Sequence, residues 1–176
     1  HCISVDPYYL AYKAKKHGYV PKLILSGRKF NENVAKYISM QSKKLLLENE
    51  IPLKKAKVGI LGFSFKENIP DIRNTKIIDI IKELKNIDIK NIKVFDGIAS
   101  KAEVKKKYKI NLYNFKDLKK FKFDMLVLAV SHRQFLKDLH FYDKFYKNKN
   151  IKILIDIKNN YSRKELKKNN FKYFQL

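Results

Sequence analysis

From residue 56 onward, four short apolar runs at 58–61, 92–95, 125–130 and 151–157 alternate with stretches of helical periodicity. That alternation restricts the chain to a parallel sheet covered by helices, because parallel strands buried on both faces read as continuous apolar runs and need helical crossovers to join them. The helical stretches fall at 74–85, 100–108, 115–120 and 134–146. The expected fold class is α/β, a Rossmann-like doubly wound parallel sheet.

Ahead of the sheet lie two helical segments. The first runs over 7–16, with Asp6 read as its N-cap, Pro7 in its first turn and Gly18 as its stop. The second and longer one spans 26–49 and carries Val34, Tyr37, Ile38, Gln41, Leu45 and Leu46 along one side. The pair Ile51-Pro52 breaks it. The expected division is therefore a helical region over 1–52 and a sheet domain over 53–176. The long helix needs a partner surface, either the sheet domain, a second copy of itself or a further domain.

The formal charge of +23 raises the question of nucleic acid. The 36 lysines outnumber arginines by nine to one, counted along the sequence as 36 Lys and 4 Arg. Arginine is the residue that reads phosphates and base edges through a planar fork. Lysine is also spread along the chain beside abundant Asn and Ile, as drift toward A- and T-rich codons would give. Even the densest cluster, Lys105 to Lys107 with Lys109, reads as the wet face of a short helix. Nucleic acid is disfavoured as a partner. No apolar run approaches the roughly 20 residues of a membrane span, and no signal-peptide pattern opens the chain.

Cys2 is the only cysteine, so no internal disulfide can form, which fits a reducing cytoplasm. It stands in Cys2-Ile-Ser-Val-Asp6-Pro-Tyr-Tyr with no Met start, and the chain is expected to be a fragment that opens inside a reactive-site segment. On residue type alone a lone Cys is more often a small buried apolar group than a nucleophile. The loop after the first strand reads Gly62-Phe-Ser-Phe-Lys66-Glu-Asn-Ile-Pro-Asp71-Ile-Arg73-Asn-Thr75 and lacks the G-x-G-x-x-G spacing of a dinucleotide turn. It offers Lys66 and Arg73 around a turn, outside the carboxyl end of a strand, where α/β sheets bind ligands.

These two segments, in this order with a long helix between them, resemble the UDP-glucose/GDP-mannose dehydrogenase family, and most of all its UDP-N-acetylhexosamine 6-dehydrogenase branch. His1 is then the last residue of a Gly-Gly-His lead-in to the cysteine, and the likeness extends through Gly27-Arg28 and Asn31 to Asp156-Ile157-Lys158. The resemblance implies an N-terminal NAD-binding domain that this chain lacks, a central helix that builds a homodimer, and a C-terminal Rossmann-like domain that holds UDP.

The resemblance also implies the chemistry. The C6 alcohol of a UDP-sugar is oxidised to a carboxylate in two hydride transfers to NAD. Cys2 attacks the intermediate aldehyde, and the resulting thiohemiacetal is oxidised to a thioester that water hydrolyses. Asp6 orders or activates that water, alongside its N-cap role. Phe65 and Lys66 contact the UDP-sugar, Arg73 contacts NAD, and Lys158 stands where related enzymes place an arginine for the substrate. No role carries over to His132, which reads as a loop histidine, and no metal constellation is present. Val5 replaces the lysine common in UDP-glucose enzymes and favours an N-acetylhexosamine. The competing readings are a UDP-glucose 6-dehydrogenase and a non-enzymatic polyanion-binding module. Alone, without the glycine-rich NAD turn, the chain is expected to be inactive.

Overall fold

The computed structural model describes residues 2–176, apart from the side chains of Ile3 and Ser4; His1, the expected end of the lead-in, lies outside the described residues. Two helices come first, α1 (Cys2–Lys16) and α2 (Lys22–Glu48). The order is then β1 (Lys57–Leu61), α3 (Ile77–Asn86), β2 (Asn91–Phe95), α4 (Lys101–Tyr108), β3 (Leu112–Tyr113), β4 (Met125–Leu128), α5 (Leu139–Asp143), β5 (Lys152–Asp156), α6 (Arg163–Lys168) and β6 (Phe171–Gln175). The six strands form one sheet in the order β3-β2-β1-β4-β5-β6, every pairing parallel. The chain direction across the sheet reverses between β1 and β4, which is the topological switch point.

Period-two alternation sorts the strand side chains onto two faces. Val58 and Ile60 of β1, Met125 and Val127 of β4 and Ile153 and Ile155 of β5 join an aliphatic layer with Ile38 and Leu46 of α2 and Ile80, Ile81 and Leu84 of α3. Leu126, Leu128 and Leu154 face the other way into an aromatic layer that includes Phe95, Phe123, Phe135, Tyr142 and Phe171. In that layer Phe95 packs edge-on against Phe123 at 5.8 Å, one of the arrangements aromatic rings prefer. Burial on both faces explains why β1, β4 and β5 are legible as apolar runs, and β2 is buried at Val94 and Phe95.

The partner of α2 is the sheet domain itself. Its C-terminal half buries Ala35, Ile38, Ser39, Ser42 and Leu46, and Ser39 Oγ donates to the Glu83 carbonyl of α3 at 3.1 Å. Leu23 and Phe30, in its N-terminal half, stay 88% and 73% exposed. The helix begins four residues before the expected 26, directly after Pro21.

α1 departs further from expectation. It starts at Cys2 and runs through Pro7, so Asp6 lies inside the helix and is not its N-cap. Pro7, the sixth residue of the helix, has no N–H to give to the carbonyl four residues back, and the helix runs on for nine residues beyond it. Gly18 ends the helix as expected, at φ +77°, with its N–H on the Lys15 carbonyl at 3.0 Å.

Two more expected helices are altered. The stretch 115–120 is a 3-10 turn, and 134–146 divides into a 3-10 turn (Arg133–Phe135) and α5. The reason for the division is packing: Phe135, Leu139, Tyr142 and Phe145 all enter the aromatic layer, and Tyr142 hydrogen-bonds through its hydroxyl to the Phe135 carbonyl. Strand β4 stops at Leu128 because the Ala129 and Val130 amides both turn to the Leu61 carbonyl, at 2.9 and 3.2 Å. Among the described residues no helix is long and apolar enough to cross a membrane.

Candidate functional site

The turn that leaves β1 is built on Gly62, at φ +96°. A Cβ there would lie 2.5 Å from the Val130 Cβ, so only glycine lets the β1 and β4 ends approach this closely. The loop it starts carries Phe65 and Lys66 to the switch point. Phe65 N–H donates to the Asp71 carbonyl at 2.7 Å, and the Thr75 hydroxyl donates to the Phe63 carbonyl at 2.6 Å, so the loop is closed on itself before α3 begins.

Outside the strand ends lies a cleft of about 750 Å³. Ile38 of α2, Ile77 and Ile80 of α3 and Val130 give it apolar walls, and its charged lining is Lys66, Lys76 and Lys158 with Glu67 and Asp71. The structure therefore gathers the three residues singled out for substrate, Phe65, Lys66 and Lys158, around one cavity. Lys158 is delivered by the turn after β5. That turn is pinned by Asp156, which is fully buried and accepts hydrogen bonds from Asn160 Nδ2 at 2.7 Å and the Tyr161 amide at 3.1 Å. Tyr161 hydrogen-bonds in turn through its hydroxyl to the Lys137 carbonyl at 2.6 Å, and burial, with the Asp156 charge nearby, pushes that hydroxyl up to about 12.

Arg73 does not line this cleft. Its side chain is exposed and forked onto Asp71, Nη2 to Oδ2 at 2.8 Å and Nε to Oδ1 at 3.1 Å, and the bonded guanidinium draws the Asp71 carboxyl down to about 2.

Cys2 and Asp6 line a separate cleft of about 670 Å³ between α1 and α2. Four residues apart on one helix, they share a face. The Cys2 side chain is exposed. Arg28 and Asn31 of α2 line the same cleft. The Arg28 guanidinium stacks 4.3 Å above the Tyr8 ring, and the Tyr8 hydroxyl bonds to Glu32, which docks α1 on α2. The two clefts have no lining residue in common, yet they meet on α2: Asn31 borders the first and Val34 the second, less than one helical turn away.

The residue that sequence reasoning missed is His132. It stands in the loop after β4, as expected, but is fully buried, as is Asp96 directly after β2. Its Nδ1 accepts the Asn68 amide at 2.8 Å, so the ring proton sits on Nε2, which lies 3.0 Å from both Asp96 Oδ2 and Ser64 Oγ. Ser, His and Asp are the types of a hydrolytic triad, but here both partners share one ring nitrogen. A triad needs the serine and the aspartate on opposite nitrogens, and it needs access for a substrate. This is a structural network. Asp96 also accepts the amides of Phe63, Ser64, Ile98 and Ala99 at 2.8 to 3.0 Å. Burial alone would raise its carboxyl, but the His132 ring N–H and the amides outweigh burial and hold it well below the ordinary carboxylate range. Among the described residues no group of His, Cys, Asp and Glu could hold a metal ion.

Comparison with known proteins bears on this architecture. Residues 59–163 match the UDP-binding domain of the UDP-glucose/GDP-mannose dehydrogenase family. The chain is 43% identical to protein CapL of Staphylococcus aureus over 90% of its own length and 36% of that protein. It is also 43% identical to the UDP-N-acetyl-D-glucosamine 6-dehydrogenase of Salmonella typhi, over 77% of this chain and 31% of the relative. It thus spans about a third of the length of these curated relatives. In fold it matches a UDP-D-ManNAc dehydrogenase structure from Pyrococcus horikoshii at 22% identity, with a TM-score of 0.80 over 99% of this chain and 37% of the other. The parallel order of the sheet and the match over residues 59–163 place this chain in the UDP-glucose/GDP-mannose dehydrogenase family.

Proposed function

We propose that this chain supplies the substrate-binding and nucleophile-bearing part of an NAD-dependent dehydrogenase that oxidises the C6 alcohol of a UDP-N-acetylhexosamine to the uronic acid. The observation that carries this reading is the cleft at the switch point, where Phe65, Lys66 and Lys158 converge. Its volume falls within the ~300–1,000 Å³ of small-molecule sites. Apolar walls suit a base and ribose, and ammonium groups suit a diphosphate as point charges. The Salmonella typhi relative's name gives the sugar class.

In this reading the region 1–52 presents the nucleophile and the dimer helix, and 53–176 binds UDP. The adjacency of the two clefts on α2 supports a substrate whose nucleotide lies against Lys66 and whose sugar reaches toward Cys2. Cys2 Sγ adds to the C6 aldehyde to give a thiohemiacetal, and the thioester formed on its oxidation is hydrolysed. Asp6, on the same helix face, takes the proton of the attacking water.

The β1 turn does not fit NAD: it offers one glycine, and α3 begins only at Ile77 without a side-chain cap. NAD, the hydride acceptor when bound, is accordingly assigned to residues other than this turn, with Arg73 as the exposed cation that faces it. The chain alone is expected to be inactive. Its single thiol supports a cytoplasmic setting.

The test is a calorimetric titration of the chain with UDP-N-acetylglucosamine beside a Lys66→Ala variant, at two salt concentrations. Saturable binding, weakened at least tenfold in the variant, is the expected result; a loss of that size is the ~1.5–3 kcal/mol of one hydrogen bond to a charged group. Steeply salt-dependent binding of arbitrary RNA with no response to the UDP-sugar would favour the polyanion-binding module instead.

A further inference from the structure

Lys66 lies on the loop after β1, and the two buried side chains that fasten this loop, Asp96 and His132, do not line the cleft. Before it, the Phe63 and Ser64 amides donate to Asp96 Oδ2 at 2.8 and 3.0 Å. After it, the Asn68 amide donates to His132 Nδ1 at 2.8 Å, and the Asn68 side-chain oxygen accepts the Arg133 amide at 3.1 Å. The Lys66 carbonyl itself accepts the Ser64 hydroxyl, and Ser64 Oγ lies against His132 Nε2, both at 3.0 Å. His132 therefore touches the loop on both sides of Lys66 from the β4 side of the switch point, and Asp96 fixes it from the β2 side. Asn68 adopts φ +58°, in the left-handed region that asparagine tolerates better than most side-chain-bearing residues.

We propose that His132 is a positioning residue for Lys66: by taking the Asn68 amide on one ring nitrogen and giving its proton to Asp96 and Ser64 on the other, it holds the loop in the one conformation that points the lysine into the nucleotide cleft. The proposal rests on the reading of Lys66 as the diphosphate-binding residue. Buried imidazole suits this task because its two nitrogens differ in role at a fixed separation. No single amide side chain reproduces both. Glutamine can place an N–H near the Nε2 position and loses the acceptor for Asn68. Asparagine can place an oxygen near Nδ1 and loses the donor to Asp96.

The experiment uses this chain with UDP as the probe, comparing wild type, His132→Gln, His132→Asn, Lys66→Ala and the double variant His132→Gln/Lys66→Ala, with amide hydrogen exchange on each. Either His132 variant is expected to weaken UDP binding roughly tenfold, the equivalent of about one lost hydrogen bond. The Asn68 amide should exchange faster in His132→Gln, while Lys66→Ala leaves that exchange unchanged. If His132 acts through Lys66, adding His132→Gln to Lys66→Ala produces no further loss of affinity. An equal loss in both backgrounds, or unchanged UDP affinity despite faster exchange, overturns the proposal. Should wild type take up no UDP, the substrate reading falls, and the loop clamp is judged by exchange alone: Asn68 protection unaltered by His132→Gln overturns it too.

Discussion

Asp96 Oδ2 lies 3.0 Å from His132 Nε2, and neither side chain is exposed to solvent. The aspartate directly follows β2 and the histidine follows β4, so the pair spans the carboxyl end of β1 that lies between those strands and joins three strand ends through a single carboxylate. With the Asn68 amide on Nδ1, the histidine meets this carboxylate as a neutral N–H donor. The carboxylate is stabilised by hydrogen bonds from five partners in place of a counter-charge.

Removing that acceptor leaves buried donors without partners. Asp96→Ala is expected to destabilise the chain by about 3–5 kcal/mol, read as a lower urea midpoint with little change in slope. The acid limb follows from the same carboxyl. Its folded pKa is depressed, so its contribution is whole above the unfolded value of about 4 and is lost as pH falls below it. An Asp96→Ala protein as stable as wild type would sink this account.

Gly62→Ala tests the close approach of β1 and β4. The substitution meets both a positive φ and a Val130 Cβ at 2.5 Å, so it should cost about 2–4 kcal/mol, more than the ordinary glycine-to-alanine penalty at a positive φ. It should also weaken UDP binding, because the loop carrying Lys66 starts there. Thermal unfolding and calorimetry on the one variant check both. A stability within about 0.5 kcal/mol of wild type would mean that the turn relaxes freely.

The parts of this fold that sequence made visible are those where burial writes a pattern. Strands β1, β4 and β5 are buried on the faces they present to both layers, and each carries a run of apolar residues, while β2 is buried only at Val94 and Phe95 and shows through Ile92, Val94 and Phe95. β6 is a sheet edge whose residues after Phe171 are exposed or only half-buried, and β3 is two residues long; neither leaves such a run. Lys66, Phe65 and Lys158 could be singled out because they belong to long segments resembling a family. His132 could not, since its role depends on Asn68 and Asp96, 64 and 36 residues away. A helical Asp6 was obscured by Pro7, which in isolation reads as the first turn of a helix and here lies inside one.

Alkaline stability should report on the turn that carries Lys158. The Tyr161 hydroxyl is raised to about 12 by burial and the Asp156 charge, and Tyr142 and Tyr146, deeper in the aromatic layer, are raised by burial as well. A tyrosine of the unfolded chain ionises near pH 10. The folded values lie higher, so the stabilisation is whole below about pH 10 and is lost as pH rises toward about 12. Tyr161→Phe should remove about 1 kcal/mol of that alkaline loss once solvent screening is allowed for. Urea midpoints compared on the two sides of about pH 10 read it out, and a slope identical to wild type would remove Tyr161 from the explanation.

The last prediction concerns the half of α2 that the sheet domain does not cover. Leu23 and Phe30, seven residues apart, are 88% and 73% exposed, a spacing that keeps an apolar stripe on one side of a helix and suits pairing with a second helix; Tyr37, next at that spacing, packs edge-on against Phe174 of β6 at 5.5 Å and ends the free stripe. The C-terminal half of the same helix is already fastened to α3 and the sheet, while the N-terminal half carries α1 through Arg28 and Glu32 and leaves the Leu23 and Phe30 side chains largely exposed. We therefore expect a homodimer in solution formed through this stripe. Leu23→Asp combined with Phe30→Asp should give a monomer by light scattering, with unchanged helical signal, because neither side chain supports the core. UDP affinity should stay within about twofold of wild type, since the cleft is bordered by α2 only at Val34 and Ile38. A wild-type chain that scatters as a monomer would refute the dimer, and a double variant that loses its helical signal would show that the stripe is needed by α2 itself.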